Sequence, residues 1–161
     1  MLDLAAQKAG WGKPLPKGVF RGIAIIQSFD TYVAQVAEVS VDKGRVKVHR
    51  IVCALDCGQV INPEIVEQQA VGGIVFGLTQ TLKGEITIDR GRVVQANYNT
   101  YDMLRMKEAP RVEVYIVPSK ETPTGMGEPA VPPVAPAVCN AVFAATGKRI
   151  RRLPIRAEDL A

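Results

Sequence analysis

Histidine occurs once, tryptophan once and cysteine three times in the 161 residues. A zinc site would need more ligands than one distant His49 and Cys139 can add to Cys53 and Cys57. In an extended segment Cys53 and Cys57 lie about 13 Å apart, too far for a disulfide. They read as buried inert thiols, which leaves the redox compartment open. Long apolar runs are also missing. Ala70 to Leu78, free of charge and strong polarity, is only nine residues, against about 20 for a membrane-spanning helix. The opening MLDLAAQKAGWGKP has no basic region followed by an apolar core, so it does not read as a signal peptide. Residues 1–17 read as a helix tail and linker, as if the chain were the last section of something longer, and residues 18–161 as one domain.

What is present is ordinary for a globular domain: 47% hydrophobic residues, 22% charged and a net charge of +4. Lys148, Arg149, Arg151, Arg152 and Arg156 concentrate positive charge near the C-terminus. No aromatics interleave with them, so they predict a solvated strand with Leu153 and Ile155 turned inward, or a subunit contact, rather than a nucleic-acid contact.

The first half is strand-like, with Val19–Ser28, Tyr32–Val41 and the alternating Arg45–His49. Asp42-Lys43-Gly44 predicts a three-residue hairpin with positive φ at the glycine. Asp89-Arg90-Gly91 repeats the pattern. His49 falls on the polar side of its strand. Asn62-Pro63-Glu64 then starts a helix, with Asn as cap, Pro at the first position and Glu at the positive end. Its apolar band runs to about Lys83 and encloses Gly72, Gly73 and Gly77. Three glycines inside a helix point to close approach by a ligand or by another backbone. Arg111–Val117 alternates again, and a last helix starts near Pro136 and stops at Gly147.

Seven of the eleven prolines lie between Pro110 and Pro136. The stretch Pro118–Ala135 is a long loop, too apolar for disorder and hence ordered and packed. After Glu121 its one charge is Glu128, in Gly125-Met126-Gly127-Glu128-Pro129. A lone carboxylate in apolar surroundings would have a raised pKa and could serve as a general base.

The ordered set of motifs resembles the C-terminal part of the large, molybdenum-cofactor-binding subunit of the xanthine dehydrogenase/aldehyde oxidase family, the molybdenum hydroxylases. It looks most like the isoquinoline 1-oxidoreductase-type large subunits of the bacterial branch. The carriers are Tyr32-Val33-Ala34-Gln35-Val36-Ala37-Glu38-Val39, Asp56-Cys57-Gly58 with Ile61-Asn62-Pro63, Gln69 ahead of Gly72-Gly73 and Gly77-Leu78, and Gly-x-Gly-Glu-Pro at 125–129. Pro133-Val134-Ala135-Pro136-Ala137, Asn140-Ala141, Thr146-Gly147-Lys148-Arg149 and Leu153-Pro154 complete it.

The resemblance implies an α+β fold, mainly antiparallel sheet with two longer helices, forming part of a molybdopterin-binding domain. It implies oxidation of aldehydes or N-heterocycles with water as oxygen source. Glu128 matches the general base, and Gln69 a neighbour of the molybdenum-pterin cofactor, expected in its cytosine dinucleotide form. Gly72 and Gly73 would let that cofactor approach, and no residue of the chain is expected to ligate the metal itself. Phe76 stands where some relatives carry another glutamine, so that contact does not transfer. No cysteine pattern for an iron–sulfur cluster is present; such clusters would sit on a small partner subunit. The upstream part of the same subunit would complete the site, so the chain alone is expected to be inactive. The alternative is a non-catalytic β-rich interaction module that binds a protein through the Pro-rich loop. Compartment, substrate identity and electron acceptor are not legible.

Overall fold

The computed structural model describes residues 1–160. Strands β1 (Phe20–Ser28), β2 (Thr31–Asp42), β3 (Arg45–Asp56) and β6 (Arg111–Ile116) form a sheet in that order, and β4 (Ile88–Asp89) and β5 (Arg92–Val93) form a small separate hairpin. The β1–β2 and β2–β3 pairs are antiparallel, whereas β6 joins β3 in parallel. A parallel neighbour needs a crossover. Helix α2 (Pro63–Leu82) and the small hairpin lie in that connection.

Both faces of the sheet are covered. Val33, Ala37, Ile51, Cys53 and Leu55 pack with Ala70, Ile74 and Leu78 of α2 and with Val134, Val138 and Val142 of α3 (Val134–Thr146). On the opposite face Ala34, Val36, Val52 and Ala54 meet Ala5 and Ala9 of α1 (Leu2–Ala9). The segment read as helix tail and linker therefore holds a helix that covers one sheet face. Gly22 makes the close approach of α3 to β1 possible, since a Cβ there would collide with the Ala137 carbonyl and the Ala141 amide.

Asn62 caps α2 as expected, its Oδ1 accepting from the Ile65 amide at 3.2 Å. Strand β3 runs seven residues beyond the alternating stretch, and a bulge explains how. Val39 pairs with Val48 while Glu38 pairs with Arg50, so His49 is the extra residue. The bulge turns Val46 and Val48 to the same core as Ile51, Cys53 and Leu55. His49 is half-buried, 2.8 Å from the Ser40 hydroxyl.

Two details correct the expectations. Both hairpins have two-residue turns of the type that matches strand twist, with positive φ at Lys43 and Gly44 and at Arg90 and Gly91. The basic segment 148–156 is not a strand. Leu153 is 43% exposed, while the Ile155 amide donates to the Thr81 carbonyl at the end of α2. Arg149 stacks on Phe143, Arg152 pairs with Glu158, and Arg156 pairs with Glu85.

Candidate functional site

The Pro-rich segment after β6 has no helix or strand until α3, yet backbone and side chains of the sheet hold it at every few residues. The Val117 amide donates to Leu55 O, the Gln59 amide to Glu121 O, and the Thr124 amide to Cys57 O, at 2.9, 2.9 and 3.0 Å. The Gly125 amide donates to Phe29 O at 3.2 Å. Within the loop, the Val131 amide donates to Glu128 O at 2.8 Å, closing a turn. Pro129, Ala130, Pro133 and Val134 are buried. The loop is ordered and packed.

Glu128 itself is exposed. The apolar surroundings expected for it are therefore not supplied by this chain: the apolar residues of the loop turn into their own core and leave the carboxylate outside. Gln69 is also exposed, on the outer face of α2. Gly72 shares that face, and a Cβ built there would meet nothing within 4 Å. Gly73 turns inward, where a Cβ would lie 3.4 Å from Ala130 Cβ and Val131 Cγ2. At Gly77 the approach is tighter, 3.0 Å to Val131 O and Val134 Cγ2. The glycines thus divide. Gly73 and Gly77 seat the loop on the helix, and Gly72 opens outward.

That seating brings the two candidate polar residues into one region. Gln69 lies one helical turn before Gly73, and Glu128 lies two residues before Ala130, which rests on Gly73. Ile65, Gln69, Gly72 and Phe76 form an exposed ridge at helical spacing, with Phe76 57% exposed. A cavity of about 670 Å³ lies elsewhere, between Val46, His49, Lys83, Leu104 and Ile155.

Two side chains behind the loop carry no role in the motif reading. Thr31 and Gln35, both fully buried on β2, reach the loop: Thr31 Oγ1 donates to Gly125 O at 2.6 Å, and Gln35 Nε2 to Ala130 O at 2.8 Å. A signal for Gln35 existed. It is the one polar residue at an inward position of Val33-Ala34-Gln35-Val36-Ala37. Behind it Cys53 is buried, which pushes its thiol up to about 12 despite the Gln35 amide. Burial, and next the Asp56 charge, also raise Cys57. Both fit the inert thiols expected.

A mainly antiparallel sheet covered by helices on both faces defines the fold class, α+β. Residues 22–110 match the molybdopterin cofactor-binding domain family, and the chain belongs to that family. It is 35% identical, over 96% of its length and 21% of the relative's, to a protein of Gluconacetobacter polyoxogenes named membrane-bound aldehyde dehydrogenase [pyrroloquinoline-quinone]. It is 33% identical to isoquinoline 1-oxidoreductase subunit beta of Brevundimonas diminuta, over 86% of this chain and 18% of that one. Among solved structures, aldehyde oxidoreductase from Desulfovibrio gigas superposes with a TM-score of 0.70 at 26% identity, covering 81% of this chain and 15% of that chain. The chain spans about a tenth to a fifth of the length of the curated relatives it matches. The family resemblance carried by the motifs, and the α+β class, are borne out.

Proposed function

We propose that this chain is the C-terminal cofactor-binding portion of a molybdenum hydroxylase large subunit, which oxidises an aldehyde or an N-heterocycle with oxygen from water. Glu128 is the general base. The observation that supports this most is the contact of Ala130 with Gly73, which sets the Glu128 loop on the helix that displays Gln69 and Gly72.

The residues present fit a pterin-borne metal. Among the described residues no three His, Cys, Asp or Glu side chains gather to hold an ion, so this chain would hold the organic part of such a cofactor rather than ligate its metal. Gln69 offers an amide that can both donate and accept. Gly72 leaves room for a flat ring system against the helix backbone, while Gly73, buried under Ala130 and Val131, seats the loop instead. The cofactor, when bound, supplies the two-electron redox chemistry of the reaction. Glu128 accepts the proton from the water that provides the oxygen, and its tethered loop keeps the carboxylate in place for that transfer.

The rest of the cofactor site comes from the upstream part of the same subunit, so the isolated chain has no turnover. We assign the cofactor as the cytosine dinucleotide form, with iron–sulfur clusters on a small partner subunit and a small aldehyde or N-heterocycle as substrate.

The test is Glu128→Gln in the complete subunit with its partner. Turnover is expected to fall at least 100-fold, while molybdenum and pterin content stay near those of the native enzyme. Retained turnover would remove Glu128 as the base. A preparation containing pyrroloquinoline quinone and no pterin would remove the cofactor assignment.

A further inference from the structure

We propose that Thr31 and Gln35 act as positioning residues, a two-point clamp that fixes the loop bearing Glu128. For its catalytic consequence the clamp rests on the reading of Glu128 as the base.

The clamp is visible in the hydrogen-bond bookkeeping. Thr31 and Gln35 are four residues apart on one face of β2, roughly 13 Å along an extended strand. The carbonyls they hold, Gly125 and Ala130, flank Glu128 on either side. Thr31 has one hydroxyl proton, and it goes to Gly125 O at 2.6 Å. Thr124 Oγ1, also 2.6 Å from Thr31 Oγ1, must then be the donor in that contact. Both ends of the turn are thus tied to the same strand.

Gln35 shows that the arrangement serves more than packing. Its Nε2 donates to Ala130 O at 2.8 Å and lies 3.9 Å from Cys53 Sγ. Its Oε1 is buried and has no partner. Flipping the amide would set oxygen against oxygen at Ala130, so the carbonyl dictates the orientation and the unmet acceptor is its cost. Among Val33, Ala37 and Ile51, all fully buried, an aliphatic side chain would fill the same space without that cost. A polar residue here is explained by the carbonyl it holds, two residues from Glu128. The β2 strand is itself fixed, paired on both edges and covered on both faces. It is a rigid frame on which to mount a loop.

The test uses the complete holoenzyme with Gln35→Met, Thr31→Val and Thr31→Ser, read by backbone hydrogen exchange and by steady-state kinetics. In Gln35→Met and Thr31→Val, exchange is expected to speed up in 125–131 while the rest of β2, β3 and α2 keep native protection. Turnover is expected to fall about 10- to 100-fold, as for a displaced catalytic group, with KM within about twofold and molybdenum content native. Thr31→Ser, which keeps the hydroxyl, restores both readouts. Unchanged exchange in 125–131, or a rise spread evenly over the sheet, overturns the clamp. If Gln35→Met does not fold, the Thr31→Val and Thr31→Ser pair decides. Exchange reports on the clamp whatever Glu128 does, so a fully active Glu128→Gln enzyme refutes the base without altering that result.

Discussion

Arg50 and Glu113 meet across the one parallel seam of the sheet through two hydrogen bonds of 2.8 Å, Nε to Oε1 and Nη2 to Oε2. The fork-on-carboxylate geometry is the strong form of such a pair. The pair extends further. Glu38 accepts from both Arg21 and Arg50, and Tyr115 Oη donates to Glu113 Oε2 at 3.1 Å. Arg21 and Arg50 also donate to the carbonyls of Gly10 and Lys8 at the end of α1. There two cations meet the negative end of the helix. Packing and charge together dock α1 on the sheet.

Acid should loosen this seam. The Arg50 guanidinium, and next the Tyr115 hydroxyl, hold the Glu113 carboxyl at about 2 despite partial burial, below the ordinary value of about 4.3. A carboxyl depressed in the folded state contributes stability that is full above its unfolded pKa and is lost as pH falls through its folded pKa. The loss therefore falls between about pH 4.3 and about pH 2. Glu113→Gln should cost about 1–3 kcal/mol at pH 7, and the difference from native should shrink toward zero near pH 2. Urea unfolding at the two pH values measures it; a gap that stays constant would show that the ion pair contributes nothing.

Gly22 should tolerate no side chain. A Cβ there collides with the backbone of α3 at Ala137 and Ala141, atoms that no rotamer change can move. Gly22→Val should force α3 off β1 and break the Asn140 Nδ2 bond to Ile23 O, now 3.0 Å. The expected loss is about 3 kcal/mol or more, in the range of severe overpacking. Thermal unfolding measures it, and a native midpoint would contradict the close approach.

Gly72 separates stability from cofactor binding. An added Cβ meets no protein atom, and Ala favours a helix interior over Gly by about 1 kcal/mol. In the complete subunit Gly72→Ala should therefore hold or raise the melting temperature while lowering pterin content several-fold. If pterin content is unchanged, the cofactor does not use this face.

Much of the fold was legible because local chemistry and global packing agree. Asn62-Pro63 marks where α2 starts, Gly147 where α3 stops, and the isoleucine-rich and valine-rich runs mark β1 and β2. The full length of β3 was hidden for a physical reason: from Ile51 to Leu55 every residue is buried, so the period-2 pattern vanishes where both faces are covered. The tail misled in the opposite way. Leu153 and Ile155 have strand spacing, but the Ile155 amide is taken by Thr81 O, a partner more than seventy positions away. For the candidate site, the motif singled out Glu128 and Gln69, yet composition could not show that a loop rich in Val, Ala and Pro turns its apolar atoms away from its own carboxylate.

The parallel seam also sets an order of assembly. Strands β1, β2 and β3 are joined by tight turns and can pair as soon as they leave the ribosome. The free edge of β3 must wait until α2 and the small hairpin have been made and β6 arrives. Until then it offers a row of unpaired backbone groups to any neighbouring strand, and closing so long a loop is slow. The Glu128 loop, which begins where β6 ends, can be positioned only after that strand has joined. Whatever protects the nascent β3 edge also protects the yield of the finished site.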